Sequence, residues 1–341
     1  MDISPQEGNN MMKRFRWLAL LLVFALVGAA CGDSDDGDGA DSYGDGEGLR
    51  AAVVTPSAEN DLAFSQSIVD ALHALESEGL LSEVAVTEGT FIVEDAAVAL
   101  RAYADEGYDL VIAHGSQYGS SLQEIAPDFP DTAFAWGTAA DTFGLSNVSA
   151  YTAASDEGGY VMGVMAAGMA GDGTIGVVGP IEVGDAKLFV DGFIAGAASA
   201  GGSATAVYID SFSDTALAAE AATSFVANGA TVLTGTAQMT VGAIGVADGA
   251  GVPWFGTQSN QTQVAPDVVV ASQVYKWEVV LRNLISSING GTLGGSTYEI
   301  TLANEGLVIE YNDAYDLSDD VKSAGDDAAN SIADGSMSTG Q

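Results

Sequence analysis

From Leu49 onward, short unbroken apolar runs rich in β-branched residues alternate with longer Ala-rich stretches of helical period. This alternation constrains the fold more than any other feature of the chain. The runs that read as strands are Arg50–Val54, Val84–Thr87, Leu110–Ala113, Ala133–Trp136, Val148–Tyr151, Ile175–Val178, Ala204–Ile209, Thr231–Leu233, Trp254–Gly256 and Val268–Ser272. Most are continuously apolar, as strands covered on both faces of a parallel sheet must be. Helical periodicity predicts helices over about Asp61–Glu78, Val93–Glu106, Tyr118–Ala126, Asp156–Ala170, Ala186–Ala200, Thr215–Asn228, Val241–Asp248, Tyr275–Asn289 and Leu317–Ile332. Strands alternating with helices build an open α/β sheet. Ten strands overfill one such sheet, so the expectation is two doubly wound lobes. Ligands of such sheets sit beyond the carboxyl ends of the strands, and two facing lobes place the ligand in the cleft between them.

The first fifty residues read as an address. Lys13, Arg14 and Arg16 precede the apolar run Trp17–Ala30, which has the length of a signal-peptide core and is short for a bilayer span. It ends in Val27-Gly28-Ala29-Ala30-Cys31-Gly32. Small residues directly before a Cys at that place resemble a bacterial lipobox, although Gly28 stands where Leu or Val is usual. The expectation is a lipoprotein signal peptide over residues 1–30 and lipidation of Cys31; the alternatives are a plain secretory signal or a single anchor helix. Translation starting at Met11 or Met12 would remove a polar prefix that a signal peptide does not need. Residues 31–48 are rich in Asp, Gly and Ser. Their spacing does not match a calcium loop, and they read as a solvated tether off the membrane.

Composition excludes several functions. The chain has 9 Lys+Arg against 47 Asp+Glu, a formal charge of -38, whereas a partner of polymeric nucleic acid needs a basic footprint. A single Cys and two His exclude a disulfide scaffold, a Cys-based zinc site, an iron–sulfur cluster and a His-rich metal centre. There is no P-loop, and no Gly-x-Ser-x-Gly elbow lies at a strand–helix turn. No cofactor is implied, and enzymatic activity is not the expected role. His73 lies within the first helix pattern; His114 follows a strand at the carboxyl edge of a sheet, where it can meet a ligand.

A series of short motifs then appears in order: Asn60-Asp61-Leu62-Ala63-Phe64-Ser65-Gln66, Asp109–Ile112, Ala126–Phe134, Asp156–Gly163, Gly176–Gly179, Asp191–Gly196, Ser211–Asp214, Trp254–Asn260 and Ser272–Trp277. Together with the lipobox, the series resembles the basic membrane protein family, substrate-binding lipoproteins of ABC transporters whose purine-nucleoside receptors are the best-understood branch. The resemblance covers about residues 50–312.

It implies a type I periplasmic-binding-protein fold of two Rossmann-like lobes with a hinged cleft. Lobe 1 would comprise 49–150 plus about 274–298, and lobe 2 would comprise 151–273 plus about 299–341. Asp61 and Phe64 fall on the family's Asp-x-x-Phe-Asn, with Ser65 in place of the Asn. Phe64 and Phe212 would sandwich a flat heterocycle from opposite lobes. Gln258 replaces the family's ribose-binding Asp, and Gly137 replaces a second family Asp, which weakens the case for ribose recognition. Ser116, Asn260 and His114 would add polar contacts. Lys276, beside Trp277 and Tyr275, matches the family's cleft Lys; a Lys at a helix N-terminus opposes the macrodipole and requires a specific acceptor. The resemblance thus implies a monomeric receptor on the extracytoplasmic face of the cell membrane. It would bind a small molecule, a purine nucleoside or nucleobase, and deliver it to ABC permease subunits. The alternatives are a same-fold sensor with a membrane partner and a secreted nucleoside hydrolase.

Overall fold

A computed structural model describes residues 48–340. The expected signal peptide, Cys31 and nearly all of the expected tether lie outside the described residues. In chain order the elements are β1 (Leu49–Val54), α1 (Phe64–Ser77), β2 (Leu81–Thr87), α2 (Val93–Asp105), β3 (Leu110–His114), α3 (Gly119–Ile125), β4 (Ala133–Gly137) and β5 (Val148–Ala153). Then follow α4 (Ser155–Ala170), β6 (Thr174–Gly179), α5 (Gly184–Ser199), β7 (Ser203–Tyr208), α6 (Thr215–Ala227), β8 (Ala230–Gly235), α7 (Thr240–Ala250), β9 (Trp254–Gln258) and β10 (Val269–Tyr275). The chain closes with α8 (Glu278–Asn289), β11 (Thr297–Ile300), β12 (Leu307–Tyr311) and α9 (Asp319–Ala333).

Two six-stranded sheets result, in the orders β11-β5-β4-β3-β1-β2 and β12-β10-β9-β8-β6-β7. All pairings are parallel except β10 with β12. The chain passes from the first sheet to the second after β5, returns after β10, and crosses again between β11 and β12. These crossings put the carboxyl ends of both sheets beside one interlobe space. All ten expected strands form. β11 and β12 had no counterpart in the sequence reading because their short runs are mostly half-buried or exposed edge residues, Thr-Tyr-Glu-Ile and Leu-Val-Ile-Glu-Tyr, without a continuous apolar signature. The helix expected from Tyr275 begins at Glu278, because residues through Tyr275 are held in β10 by the ladder to β12.

Each sheet is covered on both faces, which explains the continuous apolar strands. In the first lobe Ile68, Leu72 and Leu75 of α1 pack with Leu281 and Leu284 of α8 on one face. Leu100 of α2 and Leu122 of α3 cover the other. In the second lobe Val161 and Met165 of α4 meet Phe189 and Phe193 of α5 on one face, and Ala218, Ala222, Ile244 and Ala247 cover the other. Each fully buried large side chain contributes roughly 1.5–3 kcal/mol relative to exposure.

Helices α4 and α5 approach unusually closely. A Cβ at Gly163 would sit 2.1 Å from the Phe193 carbonyl oxygen, and one at Gly196 would sit 2.0 Å from that of Tyr160. Gly159 and Gly192 meet the opposing backbone in the same way. Glycine four residues apart on each helix lets the two backbones touch, a contact that any side chain would hold open.

Candidate functional site

The carboxyl ends of β1, β3, β4, β6, β8 and β9 surround a cleft lined from both lobes, with an empty volume of about 460 Å³ counted to its open mouth. From the first lobe come Phe64, Phe91, Ser116, Gln117 and Thr138; from the second come Asp185, Phe212, Ala237, Gln238 and Gln258. Thr138, Ala237 and Gln258 hold φ of 57°, 76° and 70°. Left-handed backbone at non-glycine residues costs on the order of 1–3 kcal/mol each and collects at functional sites. Three such residues at the ends of β4, β8 and β9 aim the chain away from sheet geometry toward the cleft.

Phe64 stands at the start of α1 with only 7% of its surface exposed. Its position is set by Asp61, whose carboxylate accepts the backbone N–H groups of Ala63, Ser65 and Gln66 at 2.9, 3.0 and 3.1 Å. These satisfy orphan donors at a helix N-terminus and favour the negative charge there. Ser65 is fully buried and shares a hydroxyl–hydroxyl hydrogen bond of 2.6 Å with Ser57. Asp61 and Ser65 therefore build the α1 entry and are not among the cleft-lining residues.

His114 sits behind Phe64. It is 0% exposed, with ring centroids 4.0 Å apart and planes at 17°. Its Nε2 lies 3.3 Å from the Phe64 carbonyl oxygen, so Nε2–H donates there, and Nδ1 accepts the Tyr151 hydroxyl at 2.6 Å. Burial pushes its pKa down to about 3, so the ring is neutral. His114 backs the Phe64 ring and is not among the cleft-lining residues. The same pair explains Gly137: a Cβ there would lie 2.7 Å from the Tyr151 hydroxyl and 2.9 Å from His114 Nδ1. Any side chain at that position would require the Tyr151 hydroxyl or the His114 ring to shift.

Lys276, Asn260 and Trp277 stand apart from the cleft. Lys276 Nζ lies 2.8 Å from a Glu310 carboxylate oxygen, and Asn260 donates to the other oxygen at 2.8 Å. Glu310 of β12 is thus the acceptor that Lys276 requires, and its pKa is lowered by these two donors against the opposing effect of burial. The three residues line a separate polar groove with Gln258, which reaches both spaces. Trp277 is fully buried in the first core and donates its indole N–H to the Ser67 hydroxyl at 2.9 Å. The lobes also touch directly: Ser259 donates its hydroxyl to the Ala63 carbonyl at 2.8 Å, and Gln261 donates its amide to that of Leu62 at 3.2 Å.

The structure therefore brings Phe64, Ser116, Phe212 and Gln258 together and adds Phe91, Gln117, Asp185 and Gln238. The added residues lie in the segments that follow β2, β3, β6 and β8, Gln117 in a short helical turn and Asp185 in the first turn of α5, and this placement after a strand is the one signal that sequence offers for them. Asp185 is one acid among 47 Asp and Glu and has no motif to mark it. No group of three metal-ligating side chains and no membrane-length apolar helix occurs among the described residues.

A two-lobed α/β receptor with an aromatic-lined interlobe cleft is the class defined by this geometry. Residues 49–337 match the family described as ABC transporter substrate-binding protein PnrA-like, Bmp, and the chain belongs to that family. A purine-binding protein of Brucella abortus is 29% identical over 200 residues, spanning 58% of this chain and 56% of that protein. The chain thus matches only about half the length of that relative. Basic membrane protein D of Borreliella burgdorferi is 24% identical over 303 residues, spanning 86% and 85% of the two chains. The fold is that of an ABC transporter solute-binding protein from Conexibacter woesei, with a TM-score of 0.71 at 23% identity, covering 85% of this chain and 98% of the other. The two lobes have the type I periplasmic-binding-protein architecture.

Proposed function

We propose that this chain is the ligand receptor of an ABC importer on the extracytoplasmic face of the membrane, anchored by lipidated Cys31 and acting as a monomer. Its ligand is a small aromatic heterocycle, a purine nucleoside or nucleobase, held between Phe64 and Phe212. The observation that carries this reading is that these two aromatic side chains line one cleft from opposite lobes. Stacking supplies affinity that is tolerant of substituents, and the Ser116 hydroxyl and Gln258 amide supply orientation. Lys276 acts one step away, by holding Glu310 and Asn260 across the neighbouring groove.

The purine-binding relative supports the ligand class. Delivery to permease subunits follows from the role of the family. The test is a thermal-shift screen over nucleosides, nucleobases, riboflavin and pentoses. A ligand at a hundred times its dissociation constant stabilises by about 2.7 kcal/mol, which moves the midpoint by several degrees. If no purine or related heterocycle shifts it, the ligand class is wrong. Labelling with a radioactive fatty acid, lost in Cys31→Ser, tests the anchor.

A further inference from the structure

Three residues of the cleft lining each carry a side-chain oxygen that is buried and has no hydrogen-bond partner. These oxygens are Asp185 Oδ2, Gln238 Oε1 and Gln258 Oε1. Gln238 and Gln258 are 9% and 3% exposed; Asp185 is partly exposed as a residue, but this oxygen is buried. A buried polar group without a partner costs on the order of 1–3 kcal/mol, so three on residues of one lining point to donors arriving with a ligand. The amides can turn to present nitrogen instead. A carboxylate cannot, and Asp185 is the one charged side chain on the lining.

The positive charges of the described residues are all engaged elsewhere. Arg50, Arg101, Lys187, Lys276 and Arg282 form ion pairs with Glu83, Asp128, Asp191, Glu310 and Glu78. Lys322 lies over the Tyr311 ring. None of them lines the cleft. The lining therefore carries one negative charge and no positive one, the wrong electrostatics for a phosphate or carboxylate and compatible with a donor-bearing neutral solute.

We propose that Asp185, at the head of α5, is the specificity-determining residue of the cleft: its Oδ2 accepts an N–H or O–H donor of a neutral ligand and its charge rejects anionic analogues. This rests on the ligand class proposed above. The backbone carbonyl of Asp185 accepts the Ser155 hydroxyl, which ties the head of α5 to the start of α4. The donor is an exocyclic amine of the base or a sugar hydroxyl, which Asp185 reads by the same hydrogen bond.

Calorimetric titration of the full chain, wild type against Asp185→Asn and Asp185→Ala, tests the assignment. The panel is adenine (amine, no sugar), purine riboside (sugar, no amine), adenosine, its 5′-monophosphate, riboflavin and ribose. Asp185→Asn removes the charge and replaces one of the two acceptor oxygens by an N–H donor. Affinity for the preferred neutral ligand is expected to fall at least tenfold in both variants. The preference for adenosine over its monophosphate is expected to shrink at least tenfold, which a merely structural residue would not do. Loss with adenine places the donor on the base; loss only with purine riboside places it on the sugar. Unchanged affinity and unchanged discrimination in both variants overturn the proposal. If purines fail to bind but riboflavin or ribose binds and is weakened by Asp185→Asn, the purine reading falls and the role of Asp185 stands. Binding of none of the panel by the wild type overturns both.

Discussion

The Phe64 ring lies face to face on the His114 imidazole, 4.0 Å between centroids, and accepts on its own backbone carbonyl the Nε2–H of that imidazole. Side chain and backbone of one residue are thus held by a single neutral ring, which is in turn fixed by Tyr151 and meets Trp277 edge-on. One wall of the cleft is preorganised by core residues, and binding need not order it. The opposite wall, Phe212, is only half-buried and has no such support.

The two walls should respond differently to truncation. Phe212→Ala is expected to weaken binding of the purine by roughly 1–3 kcal/mol, the worth of one stacked aromatic face, with little change in the unfolding midpoint. Phe64→Ala should lose binding and also destabilise the fold, because a buried Phe removed from a core costs about 3–5 kcal/mol. Calorimetry and thermal melts of both variants decide this; equal effects on stability would contradict the distinction.

His114 carries an acid-sensitivity. Its folded pKa of about 3 lies below the ordinary 6.5, so the unfolded chain binds the additional proton. The stability it contributes is complete above pH 6.5 and is lost as pH falls toward 3, at up to about 1.4 kcal/mol per pH unit. Urea unfolding of wild type and His114→Phe between pH 7 and 4.5 should show a shallower acid limb in the variant. Parallel limbs would show that the ring is not held neutral.

Asp185 behaves in the opposite sense. Burial raises its pKa to about 6 from 3.8, so the folded chain holds the proton more tightly; its ionisation costs stability above pH 6 and the cost disappears toward pH 3.8. The neighbouring titratable group is the Tyr275 phenol of β10, itself raised well above its usual value by burial and by Asp185 and Asp156. It stays neutral throughout this range. Asp185→Asn should therefore stabilise the unliganded protein at pH 7.5, by at most about 3 kcal/mol, while impairing it as a receptor. Denaturant midpoints at pH 7.5 and 4 check this; no gain at pH 7.5 would count against a buried charge.

Gly163→Ala should damage the second lobe. The added Cβ would meet the Phe193 carbonyl oxygen at 2.1 Å, and a backbone atom cannot yield unless α5 moves. Overpacking of this kind costs about 1–3 kcal/mol or more. A wild-type melting temperature in this variant would refute the close contact.

Lys276→Met should cost less than about 1 kcal/mol in stability, since its pair with Glu310 is partly solvated. Ligand affinity should stay within about twofold. A tenfold loss measured by calorimetry would show that Lys276 reaches the ligand.

Much of the architecture was legible in the chain alone. Continuous apolar runs identify strands buried on both faces, since hydrophobic burial is read from composition over a few residues, and all ten runs became strands. β11 and β12 escaped because each is short and broken by a Glu, whereas the equally exposed edge strands β2 and β7 have longer runs that the sequence marks. The motifs around Phe64 and Phe212 marked both residues in the sequence, and both line the cleft. For Lys276 the sequence determined only that an acceptor was needed. That the acceptor is Glu310 was decided by the antiparallel register of β12 on β10, which places Glu310 opposite Ser272 and within reach of the turn after β10.

His114 and Asp185 mark the same boundary from both sides. A His at a strand end reads as a ligand contact, yet tertiary packing turned it behind Phe64, where the Tyr151 hydroxyl and a backbone carbonyl satisfy it and water is excluded. An Asp among 47 acids reads as surface, yet the helix start after β6 carried it to the cleft lining. Local sequence determines which segments must be buried, because burial depends on the residue itself. Which polar group ends beside which is decided by the crossing of three chain segments between two sheets, and that is a property of the whole fold.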